Sequence, residues 1–310
     1  MKTYIAVDIG GTQLRAALYP ETGIVPINHK RIPTRGKDSA FDRLVGLIRE
    51  ILPEDDQVVG LAAGAPGAID PKTGTIFYAP NISDWVNFPL KKMLSEEIGL
   101  PVSVGNDANM AALGEWKFGA GQGYHDLLYL TISTGIGGGV ILDDKLLLGH
   151  QGLATELGHT VITPDGPRCG CGQYGHLEAF CSGTAISNYV CEQLSAGKSS
   201  ILAGNKKPSA REITEAARQG DDLSLKALER AGFYLGIGLA NFLHTFNPSI
   251  VVLGGGVTQA GNLLLDPMRA SLENHVVTRQ YIDDLAIRLA TLGDDVGLLG
   301  ALALARSAAE

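Results

Sequence analysis

An α/β fold in two related halves is predicted by three features of the sequence. Apolar runs of strand length alternate with segments of helical spacing along most of the chain. A strand, a glycine turn and a second strand occur twice, at residues 4–19 and 127–142, as a pseudo-duplication of two halves would give. The composition is 45% hydrophobic, with 40 glycines and only 6% aromatic residues, which suits α/β packing with tight turns better than a disulfide scaffold. At 310 residues the chain has length for one large or two moderate domains.

The elements follow in order. Residues 4–7 read as a strand and 14–19 as its return. Residues 41–52 have helical spacing, with Asp38 or Ser39 as N-cap. Residues 58–63 form an apolar run of strand length. A helix over 89–98 ends on Gly99, and a short strand at 102–104 leads into Asn106-Asp107 and a helix reaching Phe118. In the second half 127–133 is a strand, 135–139 a turn and 140–143 the returning strand. Helices follow at 184–194, 210–218 and 222–246, the last stopped by Asn247-Pro248. Residues 249–253 read as a buried strand running into Gly254-Gly255-Gly256. A strand at 287–291 and a helix at 296–306 close the chain.

The formal net charge is −8, and no run of Lys or Arg interrupts the sequence. That balance argues against nucleic-acid partners and a membrane-surface patch. Backbone N–H groups can still bind a small anion without net positive charge. The opening MKTYIAVDIGG carries an apolar run too short for a signal-peptide core, and no long uncharged span follows. A cytoplasmic protein is expected. In a reducing compartment a Cys-x-Cys pair favours metal over disulfide.

Two glycine hairpins are candidate phosphate cradles. The first is Asp8-Ile9-Gly10-Gly11-Thr12, the second Ser133-Thr134-Gly135 followed by Gly137-Gly138-Gly139. Glycine permits close backbone approach, and successive N–H groups can converge on phosphate oxygens. Thr12 and Thr134 add hydroxyls, and Asp8 at the strand end can orient a hydrated Mg²⁺. Either hairpin alone is also an ordinary tight turn. Neither ends in the Gly-Lys-Ser/Thr of a P-loop, and each returns to a strand rather than a helix. The pair together with Gly254-Gly255-Gly256 after a third strand suits a nucleotide bound between two domains.

His159, Cys169, Cys171 and His176 fall within one short window. Two thiolates and two imidazoles make a tetrahedral zinc set. The alternative is two buried free cysteines and two unrelated histidines. Cys181 and Cys191 lie at or in a predicted helix and read as core residues. Asp107 opens a helix, where an aspartate is most often an N-cap. A carboxylate facing a cleft from that position can also act as a general base toward a hydroxyl.

These segments resemble the ROK family of sugar kinases and sugar-responsive repressors. The resemblance rests on DIGGT at 8–12, GAPG at 64–67, NDAN at 106–109, STGIGGG at 133–139, ELGH at 156–159, CGCGQYGHLEAF at 169–180 and LGGG at 253–256. It implies a two-domain actin-like ATPase fold (ribonuclease H-like) with a nucleotide cleft between the domains. The smaller N-terminal domain would take residues 1–117 and 295–310, the larger one 118–294. The C-terminal helix would pack back on the N-terminal domain.

The resemblance further implies an ATP-dependent hexose kinase, glucose to glucose 6-phosphate first, with N-acetylglucosamine, N-acetylmannosamine, mannose or fructose as alternatives. Asp107 would be the catalytic base. Gly67, Asn106, Glu156, His159 and Glu178 would contact the sugar, with Asn81 as a weaker candidate. Asp8, Gly10, Gly11, Thr12, Thr134, Gly135, Gly254, Gly255 and Gly256 would hold Mg-ATP. A structural zinc would fix one ring nitrogen of His159 and leave the other for the sugar. The family commonly has a third cysteine where His176 stands, a departure that histidine chemistry tolerates. Family repressors carry a helix-turn-helix before the first strand. Here that strand begins beside Met1, so a DNA-binding repressor is not expected. A non-catalytic sugar sensor is the reading of another class. Family members form homodimers or homotetramers, for which the helices after residue 183 offer an interface.

Overall fold

The computed structural model describes residues 2–54, 57–79 and 81–309. Strands β1 (Lys2–Ile9), β2 (Gln13–Pro20) and β3 (Asn28–Pro33) precede helix α1 (Ala40–Arg49) and strand β4 (Gln57–Ala65). Three short strands follow, β5 (Ala68–Asp70), β6 (Thr75–Tyr78) and β7 (Val86–Phe88), then α2 (Leu90–Ile98). Next come β8 (Val102–Asn106), α3 (Asp107–Phe118), β9 (Leu127–Ile132), β10 (Ile136–Leu142) and β11 (Lys145–Leu146). The helices α4 (Glu178–Cys181), α5 (Gly183–Ser195), α6 (Ala210–Arg218) and α7 (Asp222–Phe246) lead to β12 (Ile250–Gly254). The chain closes with α8 (Asn262–His275), β13 (Ala286–Leu289) and α9 (Val296–Ser307).

Backbone contacts divide the chain into two compact units. One holds residues 1–125, 139–155 and 290–310, the other 126–138 and 156–289. The alternation of strands and helices is the α/β architecture that the sequence predicts.

The first unit is built on a sheet of order β3-β2-β1-β4-β8. The period-2 pattern of β1 sends alternate residues to opposite faces. Ile5, Val7 and Ile9 pack with Leu44, Leu47 and Ile48 of α1 and Leu90 and Leu94 of α2. Tyr4 and Ala6, with Ala17, Tyr19 and Ala62, pack with Leu298, Leu299, Ala301, Leu302 and Ala305 of α9. The C-terminal helix therefore covers a face of the N-terminal sheet. It also crosses α3 at close range: a Cβ at Gly300 would fall on the Met110 backbone, and one at Gly114 would lie 2.8 Å from the Val296 carbonyl. The buried Glu115 of α3 accepts from the N–H groups of Ala120 (2.8 Å), Thr291 (2.9 Å) and Leu292 (2.9 Å).

In the second unit β9, β12 and β13 run parallel, with Gly254 opposite Thr131 and Leu253 opposite Leu289. The 25-residue α7 starts on Asp221, whose side chain accepts from the Ser224 N–H, and stops at Asn247 in the left-handed region. Its neighbour α8 carries Pro267 inside its span.

Candidate active site and metal centre

In the first unit candidate residues share one end of the sheet. β1, β4 and β8 are parallel, with Asp8 opposite Gly64 and Ala65 opposite Asn106. The Gly10–Thr12 turn, Gly67 and Asn106-Asp107 therefore all lie beyond the carboxyl ends of neighbouring strands, where open α/β sheets bind ligands. The hairpin register also sets Arg15 opposite Asp8. Arg15 donates from Nε (2.9 Å) and Nη2 (2.5 Å) to the same oxygen, Oδ2 of Asp8. Sequence reasoning named Asp8 without this partner. Counting back from the two-stranded turn would have found it. Asn81 lies over Gly11, where a Cβ would collide with it.

Asn106, not Asp107, is the N-cap of α3. Its Oδ1 accepts from Ala108 (2.9 Å) and Asn109 (3.3 Å), and its Nδ2 donates to the Gly67 carbonyl at 2.8 Å. The amide thus ties the 64–67 loop to the helix start, and its second hydrogen is what it has left to offer a ligand. Gly67 adopts φ 92°, a conformation costly for a side chain. Asp107 occupies the first helical position with its carboxylate exposed, and its Oδ1 also accepts from Ala108 N–H at 2.8 Å.

Thr155, the residue before Glu156, has φ 68°, an outlier for a β-branched residue. Its hydroxyl lies 2.6 Å from the Ala154 carbonyl and 3.3 Å from Asn109 Oδ1.

In the second unit the ends of β9 and β12 bring Ser133-Thr134-Gly135 beside Gly254-Gly255-Gly256. Gly255 has φ 88° and sits against the Ile132 backbone, leaving no room for a Cβ. A pocket of about 790 Å³ opens there, lined among others by Thr134, Thr184, Lys207, Arg211, Gly256 and Val257. Thr184 secures the turn by donating to the Thr134 carbonyl at 2.8 Å. Thr184, Lys207 and Arg211 were not found from sequence. The signal available was weak: two cations flanking the Ser209 capping box that starts α6. Gly135 lies against the Glu178 carboxylate, whose Oε2 accepts the Ile136 N–H at 2.9 Å.

The Cys/His window folds into a cluster. The ligand atoms of His159, Cys169, Cys171 and His176 all lie within 4.8 Å of one another. Nδ1 of His159 is 3.6 Å from Cys169 Sγ, and Nδ1 of His176 is 3.3 Å from Cys171 Sγ. A tetrahedral zinc with Zn–N about 2.0 Å and Zn–S about 2.3 Å requires N···S separations of roughly 3.5 Å. The donor set and its spacing therefore fit zinc, and both histidines would use Nδ1. Burial, together with the nearby His159, holds the His176 imidazole below its ordinary value, in the neutral form a metal needs. Cys169 Sγ also lies 3.1 Å from Glu178 Oε1, which links the cluster to that carboxylate. Cys181 is fully buried, as a core residue should be, whereas Cys191 is half-buried.

The ROK family model matches residues 4–308. The chain belongs to the ROK family. The glucokinase of Thermotoga maritima is 38% identical over 307 residues, covering 97% of this chain and 96% of that protein. The xylose repressor of Bacillus subtilis is 31% identical over 96% of this chain and 75% of its own length. Among solved structures, a ROK glucokinase from Streptomyces griseus in complex with glucose and AMPPNP superposes with a TM-score of 0.81. It is 36% identical and covers 98% of this chain and 99% of that one. The two-domain actin-like ATPase fold expected from the motifs is thereby the fold of this ROK chain.

Proposed function

We propose that this chain is an ATP-dependent hexose kinase that moves the γ-phosphoryl group of Mg-ATP to a sugar hydroxyl, with O6 of glucose as the first acceptor. The observation that carries the proposal is the register of β1, β4 and β8, which lines up the phosphate turn with Asp107. The relatedness to glucokinases over nearly the whole chain supports it.

Phosphoryl transfer depends on alignment and charge stabilisation more than on covalent help. Asp107 takes the proton of the attacking sugar hydroxyl. The N–H groups of the Gly10–Thr12 turn and the Thr134-Gly135 turn hold phosphate oxygens, and the pocket beside Gly254–Gly256 takes the rest of the nucleotide. Asp8, braced by Arg15, orients Mg-ATP. Asn106 and Gly67 hold the 64–67 loop for the sugar, while Glu156, His159 and Glu178 hydrogen-bond its hydroxyls. Zinc on His159, Cys169, Cys171 and His176 would supply a fixed tautomer to His159, leaving Nε2 to donate to the sugar.

No described helix is long and apolar enough to cross a membrane. Cytoplasmic location belongs to the proposal, as does assembly into a homodimer or homotetramer, for which the exposed Phe233 of α7 and Val277 give support.

The experiment is a sugar panel with Mg-ATP, following ADP release, beside Asp107→Asn. Release on one hexose, lost by roughly 10²–10⁴-fold in the variant, is expected of a general base. No release on any sugar by protein that still binds sugar would establish the non-catalytic sensor instead.

A further inference from the structure

Thr34 lies just past β3 and is 3% exposed. Its hydroxyl and its N–H both bond to the phosphate turn. Its hydroxyl donates to the Gly10 carbonyl at 2.6 Å, and its N–H donates to the Thr12 carbonyl at 2.9 Å. The Gly10 N–H closes the turn separately on the Gln13 carbonyl at 2.8 Å.

The consequence follows from peptide geometry. In a trans peptide the C=O and the next residue's N–H point in opposite directions. Drawing the Gly10 carbonyl toward Thr34 therefore turns the Gly11 N–H away from Thr34. Gly11 has no side chain to hold its own conformation, and glycine leaves the peptide plane free to rotate. Without a donor holding the Gly10 carbonyl, the N–H would sample several directions. Asn81 closes over the Cα of Gly11 and limits the remaining freedom. An anion cradle is effective only when its donors already point at the developing charge.

We propose that Thr34 is a positioning residue for phosphoryl transfer: it pins the Gly10 and Thr12 carbonyls so that the Gly11 N–H is aimed at the phosphoryl donor. The inference rests on the kinase reading above, which places phosphate at this turn.

The test compares the full chain with Thr34→Ser and Thr34→Val. Serine keeps the hydroxyl and loses the methyl. Valine keeps the shape and loses the donor. KM for ATP, KM for sugar, kcat, calorimetric Mg-ATP binding and the melting temperature are measured for each. Thr34→Val is expected to lower kcat/KM for ATP by roughly tenfold, with the sugar KM within twofold of the parent. Thr34→Ser should recover most of that loss. A valine variant that melts earlier but keeps its ATP kinetics would make Thr34 merely structural and overturn the proposal. So would a folded serine variant that loses roughly tenfold or more in kcat/KM for ATP although it keeps the hydroxyl, an outcome that can be read whether or not valine folds. A parent chain that neither binds Mg-ATP nor phosphorylates any sugar would instead remove the kinase reading, and this inference with it.

Discussion

Removing the metal from the Cys/His cluster tests the link between the loop and the sugar. The donor atoms of His159, Cys169, Cys171 and His176 lie within 4.8 Å of one another, so one ion can join all four. Free zinc at 1,000 times its dissociation constant stabilises the native state by about 4 kcal/mol. At about 2–4 °C per kcal/mol, chelation should lower the melting transition by roughly 8–16 °C. The functional effect should be visible first. His159 would lose its fixed tautomer, and a protonated Cys169 thiol would donate to Glu178 at 3.1 Å, tying up one of the oxygens assigned to the sugar. Loss of such orienting contacts typically costs 10–100-fold. The sugar KM should rise by about that factor while the KM for ATP changes little. Elemental analysis should find one zinc per chain, and Cys171→Ser should reproduce the chelated protein. A verified metal-free sample with unchanged sugar KM and melting temperature would refute the reasoning.

Two stability predictions follow from buried carboxylates. Glu115→Gln keeps an oxygen for Thr291 and Leu292 but turns an N–H toward the Ala120 N–H, which should cost about 2–3 kcal/mol in urea unfolding; a change under about 0.5 kcal/mol would show that these bonds carry little. At Asp221 burial alone would raise the pKa, but the bonds from Ser224 and the Ile201 N–H outweigh it and hold the carboxyl below its ordinary value. A depressed carboxyl contributes stability above its unfolded pKa of about 3.9 and loses it as pH falls through the folded value. Asp221→Ala should therefore cost about 1 kcal/mol at pH 7. The difference from the parent should shrink below pH 3.9; an equal difference at both pH values would assign it to packing.

Much of this fold was legible where local rules agree. The sequence reading put α3 at 107–118 and α7 at 222–246, and both match, because capping residues and the αL stop at Asn247 coincide with the apolar period. Gly99 likewise closes α2 in the left-handed region. What was missed lacks such agreement. β5, β6 and β7 have only three or four residues each, too few for alternation to register. β3 is an edge strand with five of its six residues exposed, so it shows no buried face in sequence. α8 begins on Gly261 without a side-chain cap and holds Pro267, which reads locally as a helix breaker. The glycine turns were visible as motifs, but the groups that hold them were not. Thr34 reaches Gly10 across 24 positions, and Glu115 reaches Thr291 across 176. Only the folded chain brings them together.

The packing of α9 sets an order of events at the ribosome. Tyr4, Ala6, Ala17, Tyr19 and Ala62 emerge long before the residues that cover them, Leu298 to Ala305. At about 5–20 residues per second, the span from residue 125 to residue 296 takes roughly 10–30 s to translate. Through that interval the nascent sheet presents an uncovered apolar face, while the second unit, residues 126–138 and 156–289, is free to fold. The unit begun before the second one is thus completed after it, and a frameshift ahead of α9 would leave β1, β2 and β4 without the helix they close on.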